Sequence, residues 1–292
     1  MKTGIVFEGG AFRTIFSCGV MDALVENDIM PDYMIGVSAG AAYGVSMASK
    51  QPRRNLDVLM KYRNDKRYLG LSNMIDKDNK SIYGLEFSYE TIPNELNLFD
   101  YDAFKQYKGD FYCVVTNLLT GQPEYMKYTG DDRTNTVLKA TCALPMLFPP
   151  IIINDVPYMD GGLSDSIPYL KAIEDGCDRI IVVLTRQSGY TKTTSRSTKA
   201  IAYSYRNQYP KLTETMLTRA SRYNESLKGL DQYVKEGRII TIQPTTSKGF
   251  SRLEKDKNKI LSMYNDGYNQ CYELLDLSLI HISEPTRRRG IS

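Results

Sequence analysis

Histidine is nearly missing from this chain: one residue in 292, His281, close to the C-terminus. That scarcity removes the usual imidazole base from the body of the protein and leaves a multi-histidine metal centre without ligands. Tryptophan is absent, so the 22 tyrosines give no dependable sign of an interfacial aromatic belt. Long apolar runs are missing too. None approaches the ~18 residues of a membrane-spanning helix, and MKTGIVFEGG breaks its short apolar run at Glu8, reading as a first strand rather than a signal segment. The five cysteines (Cys18, Cys113, Cys142, Cys177, Cys271) are odd in number, scattered and never spaced C-x-x-C. They speak against a disulfide framework or zinc site and for reduced, mostly buried thiols in the cytoplasm. No D-x-[DN]-x-[DN]-G loop is present, so no metal is expected. A formal charge of +3 is too small for a nucleic-acid footprint over the whole chain, and no nucleic-acid partner is expected.

What is present is globular in composition: 42% hydrophobic and 24% charged residues, enough to bury a full core. No Pro/Gly/Ser-rich linker divides residues 1–276, which read as one domain. The segment LSLIHISEPTR, residues 277–287, resembles the translated read-through of a sequencing-library adapter. Residues 277–292 are therefore read as an artefactual tail on a chain truncated near Asp276, with a genuine disordered end as the alternative. The tail takes Arg287, Arg288, Arg289 and Glu284 with it, and either reading leaves the folded body without histidine.

Short β-rich runs alternate with longer helical patterns, the signature of a mainly parallel sheet with helices on its faces. Strands are expected at TGIVFE, DYMIGV, 111–118, 124–128, 178–185 and 238–244, with a hairpin-like stretch at IIINDVPYM. Helices are expected at 12–28, over AGAAYGVSMASK, and around 54–66, 133–143, 166–175, 197–228 and 251–275. Residues 68–100 give no clear pattern, and 186–198, rich in Ser, Thr and Lys, reads as a mobile surface loop.

The chemistry concentrates in three places. IGVSAG, residues 35–40, has the G-x-S-x-G spacing of a nucleophile elbow, in which Gly36 and Gly40 relieve a tight strand-turn-helix and Ser38 stands at the carboxyl edge of the sheet. A serine N-cap with helix-packing glycines is the competing reading. FEGGAFRT, residues 7–14, also joins strand to helix, and Gly9, Gly10 and Ala11 could present backbone N–H groups to an oxyanion beside Ser38. Neither phosphate-loop pattern, G-x-x-x-x-G-K-[ST] nor G-x-G-x-x-G, is present there. Arg13 is left as a lipid head-group contact or a loop anchor. With histidine gone, the base must be a carboxylate, a lysine or a terminal amine. Asp160 in YMDGGLSDS is the most distinctive carboxylate, although an Asp-Gly turn explains such a dipeptide as well.

Together these blocks resemble the patatin-like phospholipase family, whose hydrolases use a Ser–Asp dyad without histidine. The matching blocks are GGAFR, GVSAG with Ser38, ATCALPMLFPP (140–150) and DGG with Asp160, in the family's order. The resemblance spans residues 3–185, and RRNLDVLMKYRNDKRYLG with the C-terminal helices is similar to a bacterial subgroup. Thr14 departs from the glycine frequent after the arginine, which puts the backbone of the oxyanion loop in doubt. The resemblance implies a three-layer α/β/α fold and hydrolysis of an acyl ester of a phospholipid or related lipid. It assigns Ser38 as nucleophile, Asp160 as base and Gly9, Gly10 and Ala11 as oxyanion donors, with no cofactor. A non-catalytic module binding lipid or an acyl carrier, or a thioesterase or peptidase on the same fold, remains the alternative. The stretch 197–222, with Lys199, Arg206, Lys211, Arg219 and Arg222, is read either as a peripheral contact with an anionic membrane face or as a solvated helix with an apolar core side.

Overall fold

The computed structural model describes residues 1–77 and 79–283, the last eight of these as backbone only. The remainder of the expected tail, 284–292, lies outside the described residues. β1 (Thr3–Phe7) runs through a 3-10 turn, Ala11–Thr14, into α1 (Ile15–Glu26), and β2 (Tyr33–Val37) runs into α2 (Ala39–Ala48) and α3 (Arg54–Tyr62). A short α4 (Ser72–Ile75), a π-helix (Phe87–Leu96) and α5 (Tyr101–Gln106) lead to β3 (Asp110–Asn117) and β4 (Pro123–Lys127). Then follow α6 (Thr136–Cys142), the hairpin β5 (Ile151–Ile153) and β6 (Val156–Asp160), α7 (Tyr169–Glu174), β7 (Arg179–Val183), α8 (Arg196–Ser204), α9 (Pro210–Lys235), β8 (Ile239–Ile242) and α10 (Lys257–Ser283).

All the expected strands are found, and they join in one eight-stranded sheet of order β5-β6-β3-β2-β1-β7-β8, with β4 also paired to β3. β3, β2, β1, β7 and β8 are parallel, whereas β4 and β6 pair antiparallel with β3. Both faces of the central parallel strands β1 and β2 are buried, as their near-continuous apolar sequences require. Ile5 and Phe7 of β1 join the cluster containing α1, α2 and α10, while Val6 between them joins the cluster containing α7 and α9. Helix, sheet and helix thus form the three expected layers.

α1 and α10 cross at very close range. A Cβ on Gly19 would collide with the Tyr264 carbonyl and lie 2.6 Å from Tyr268 N, and one on Gly267 would collide with the Phe16 carbonyl. The two backbones touch because each helix offers a glycine to the other.

The helices depart from their expected bounds where capping and proline decide the matter. The run expected at 197–228 is two helices: Ser195 Oγ accepts from Thr198 N (3.1 Å) to start α8, and Pro210, which has no N–H to lose, opens α9. The last helix starts at Lys257 rather than 251. Within the unpatterned stretch 68–100, the π-helix carries Pro93 in its interior, where the missing donor favours a widened turn. The loop read as mobile is tied to α9 at Lys192, whose N donates to Asn224 Oδ1 (2.8 Å) while its carbonyl accepts from Asn224 Nδ2 (2.9 Å).

Candidate active site

The site forms where parallel β1, β2 and β7 end side by side. At the end of β2, Ser38 is held at φ +54°, ψ −129°, a conformation strained for any residue with a Cβ. Two backbone approaches make the turn feasible: a Cβ on Gly36 would lie 2.5 Å from Ala41 N, and one on Gly40 would lie 2.5 Å from the Phe7 carbonyl. The hydroxyl of Thr141 on α6 accepts from Ser38 N (2.9 Å) and donates to the Val114 carbonyl, pinning the elbow to β3.

The loop after β1 lies against it. A Cβ on Gly9 would come within 2.8 Å of the Ser38 Cβ, so only glycine lets the two chains approach. Ala11 takes φ +50°, and the first bond of the 3-10 turn is Arg13 N to the Gly10 carbonyl (3.2 Å). Gly10 caps that turn and Ala11 opens it, positions whose N–H groups have no partner within a helical turn, and Gly9 comes just before them. Thr14 is fully buried in the turn, its hydroxyl without a hydrogen-bond partner.

Asp160, at the end of β6, faces Ser38. It is 2% exposed, its Oδ1 accepts from Gly162 N (2.8 Å), and it lines the same cavity as Ser38. Burial raises its pKa, and the Ser38 hydroxyl and the nearby Arg219 guanidinium hold the rise in check. Arg219 comes from α9 and donates through Nε to the Gly162 carbonyl. Cys142 lines a cavity together with Ser38, but burial pushes its thiol up to about 12, so it stays neutral and a poor rival nucleophile.

Ser38, Ala11, Leu144 and Arg252 line two cavities at once. The larger, about 200 Å³, is walled by Phe12, Val45, Tyr83, Ile92, Leu147 and Phe148 among others and reaches back to the π-helix. The smaller, about 60 Å³, holds Glu8, Asp160 and the cations Arg13, Arg186, Lys192 and Arg219. Among the described residues, no group of His, Cys, Asp and Glu side chains could hold a metal ion. No helix there is long and apolar enough to cross a membrane.

The family model for patatin-like phospholipases matches residues 5–173, more than half of the chain and every block around Ser38 and Asp160. The chain belongs to the patatin-like phospholipase family. A second model, a domain of unknown function (DUF6363), matches residues 209–277, which contribute α9, β8 and α10 to the same body. The uncharacterized protein YjjU of Escherichia coli is 27% identical over 63% of this chain and 52% of its own length. The lysophospholipase nte1 of Aspergillus terreus is 29% identical over 62% of this chain and 12% of its own. This patatin-like chain therefore spans about half of one relative and a small part of the other. VipD of Legionella pneumophila superposes with a TM-score of 0.45 at 16% identity, covering 94% of this chain and 67% of that one.

The patatin-like site gathers every expected residue: Ser38, Asp160, Gly9, Gly10, Ala11, Gly36 and Gly40, with Arg13 in the polar cavity. It does not gather the basic residues of 197–222 on one outer face. Arg219 turns in toward Asp160, and Arg222 donates to the Leu163 (2.7 Å) and Ser164 (3.3 Å) carbonyls, leaving Lys199, Arg206 and Lys211 outside. Sequence reading missed Thr141, Arg186, Lys192 and Arg252. Only Thr141 lay in a quoted block, and the others are single cations in loops with no local pattern to mark them.

Proposed function

We propose that the protein is a serine acyl hydrolase that cleaves a carboxylic ester of a phospholipid or related lipid through a Ser38–Asp160 dyad. One observation carries this reading: a strained elbow serine beside a buried carboxylate, standing between an apolar and a polar cavity, with no histidine in residues 1–276. The apolar cavity takes the acyl chain and places the ester carbonyl at Ser38. Asp160 accepts the hydroxyl proton as Ser38 Oγ bonds to the carbonyl carbon, and the N–H groups of Gly9, Gly10 and Ala11 receive the oxyanion. Collapse of the tetrahedral species breaks the ester bond, and the leaving alcohol takes the proton back from Asp160. Water, deprotonated by Asp160, then attacks the acyl-enzyme, and Ser38 leaves with that proton.

A buried carboxylate suits this work because its raised pKa brings its proton affinity closer to that of the groups it serves. Residues 1–276 act as one unit in this proposal, because Arg219 beside Asp160 comes from the C-terminal segment. Hydrolysis of p-nitrophenyl esters of graded chain length tests it. Ser38→Ala should lower kcat/KM by roughly four to six orders of magnitude, and Asp160→Asn nearly as much. Retention of most activity in Asp160→Asn would remove the proposed base. An inactive lipid- or acyl-carrier-binding module would leave Ser38 unlabelled by a fluorophosphonate.

A further inference from the structure

The polar cavity beside Ser38 holds more positive charge than catalysis by the dyad uses. Arg13, Arg186, Lys192, Arg219 and Arg252 line it, against two carboxylates, Glu8 and Asp160. Both carboxylates are already engaged by neutral donors: Glu8 Oε2 accepts from Thr185 N (2.7 Å) and Oγ1 (3.0 Å), and Asp160 from Gly162 N. Among the described residues none of the five cations forms an ion pair with a carboxylate. Arg13 is 6% exposed, and its Nε is buried without a hydrogen-bond partner. A buried guanidinium so placed is costly unless an anion completes it. The same deficit shows in Lys192, which burial first, and then Arg219, Arg252 and Arg186, depress to about 7.

The aromatic faces in this region are already taken. The Arg186 guanidinium lies 4.5 Å from the centre of the Tyr190 ring, and Lys192 Nζ lies 3.6 Å from that of Tyr223. A quaternary ammonium would need such faces free and a surplus of negative charge. A phosphate monoester, with a charge of about −1.5 to −2 at neutral pH, instead meets matching donors on several sides.

We propose that this cavity selects lipids whose head group is a phosphate monoester, of the acylglycerol phosphate class, and that Arg186, Lys192 and Arg252 are its specificity-determining residues. The proposal rests on the acyl-hydrolase reading for orientation: with the acyl chain in the apolar cavity and the ester at Ser38, the phosphate falls on the cationic side. Arg252, which lines both cavities and is exposed, stands at the mouth where chain and head group diverge.

The test uses three octanoyl lipids: an acylglycerol phosphate, its phosphocholine counterpart and the uncharged monoacylglycerol. Binding is measured by calorimetry on Ser38→Ala protein and turnover on the active protein. The acylglycerol phosphate should bind at least tenfold tighter than either of the others, and that preference should fall about 10- to 100-fold in Arg186→Gln and in Lys192→Gln. Equal or tighter binding of the phosphocholine lipid overturns the proposal, as does a preference unchanged in both variants. Displacement of the acylglycerol phosphate by an equal concentration of inorganic phosphate would make the cavity a free-anion site and overturn the lipid assignment. Absence of turnover on all three lipids and on p-nitrophenyl esters rejects the hydrolase reading separately, because the binding comparison stands without turnover.

Discussion

Replacing Asp22 by asparagine should make the protein more resistant to unfolding as the pH is raised. Asp22 sits on α1, 4% exposed, with Oδ2 accepting from Tyr264 Oη of α10 (2.7 Å) and from Arg53 N (2.8 Å). Burial raises its pKa from 3.8 to about 6, although both hydrogen bonds act the other way. The folded state therefore holds a proton that the unfolded chain has lost between those two values. Stability is highest below the unfolded pKa, falls as pH rises toward 6, and levels off above it. A shift of about two units corresponds to about 3 kcal/mol in all, of which roughly 1.4 kcal/mol falls between pH 5 and pH 8. Asparagine keeps an acceptor for Tyr264 and Arg53 and does not ionise. Any fixed cost of its new N–H groups cancels when wild type and Asp22→Asn are compared across pH. Urea unfolding at pH 5 and pH 8 gives the comparison. The gap between the proteins should shift by roughly 1.4 kcal/mol in favour of Asp22→Asn at pH 8. Parallel pH dependences would show that Asp22 titrates as an exposed carboxylate and would refute the argument from burial.

The remaining predictions address the proposed dyad, the polar cavity and the helix crossing. Ser38→Ala and Asp160→Asn should both abolish ester hydrolysis while leaving the far-UV spectrum unchanged, and acylglycerol phosphate preference should follow Arg186 and Lys192. Because burial raises Asp160 and Arg219 opposes the rise, the acidic limb of the kcat/KM profile should lie above that of an ordinary carboxylate. It should move to still higher pH in Arg219→Met, and an unmoved limb would detach Arg219 from the base. Gly19→Ala should cost about 1–3 kcal/mol in urea unfolding, since its methyl meets backbone rather than a side chain that could turn aside. A neutral result would mean that α1 and α10 separate readily.

Much of the fold could be read in the sequence because the inner parallel strands are largely buried on both faces and so leave dense apolar runs such as GIVF and RIIVV. The elbow could be read for a related reason: tight turns at Ser38 demand Gly36 and Gly40 at fixed spacing. Bounds set by a single cap were harder, as at Ser195 and Pro210, where one long helical pattern conceals two helices. The stretch 68–100 gave no pattern because its main element is a π-helix, whose contacts do not recur at the helical period. The polar cavity stayed hidden for another reason. Arg13, Arg186, Lys192, Arg219 and Arg252 are scattered over most of the chain, and only the ends of β1 and β7, α9 and the segment between β8 and α10 bring them together. Arg219 shows the hazard of reading charge by segment: placed among exposed neighbours on α9, it points inward.

Of the five cations in the polar cavity, only Arg13 lies within residues 5–173, the span matched to the patatin-like family. The proposed dyad and most of the cationic wall proposed to sort its substrates are thus carried by different stretches of the chain. Mutation could remodel the wall through the later stretch while the elbow, the glycine loop after β1 and Asp160 stayed as they are. Two relatives with the same first half could in that way acquire different diets without either relearning how to cut an ester.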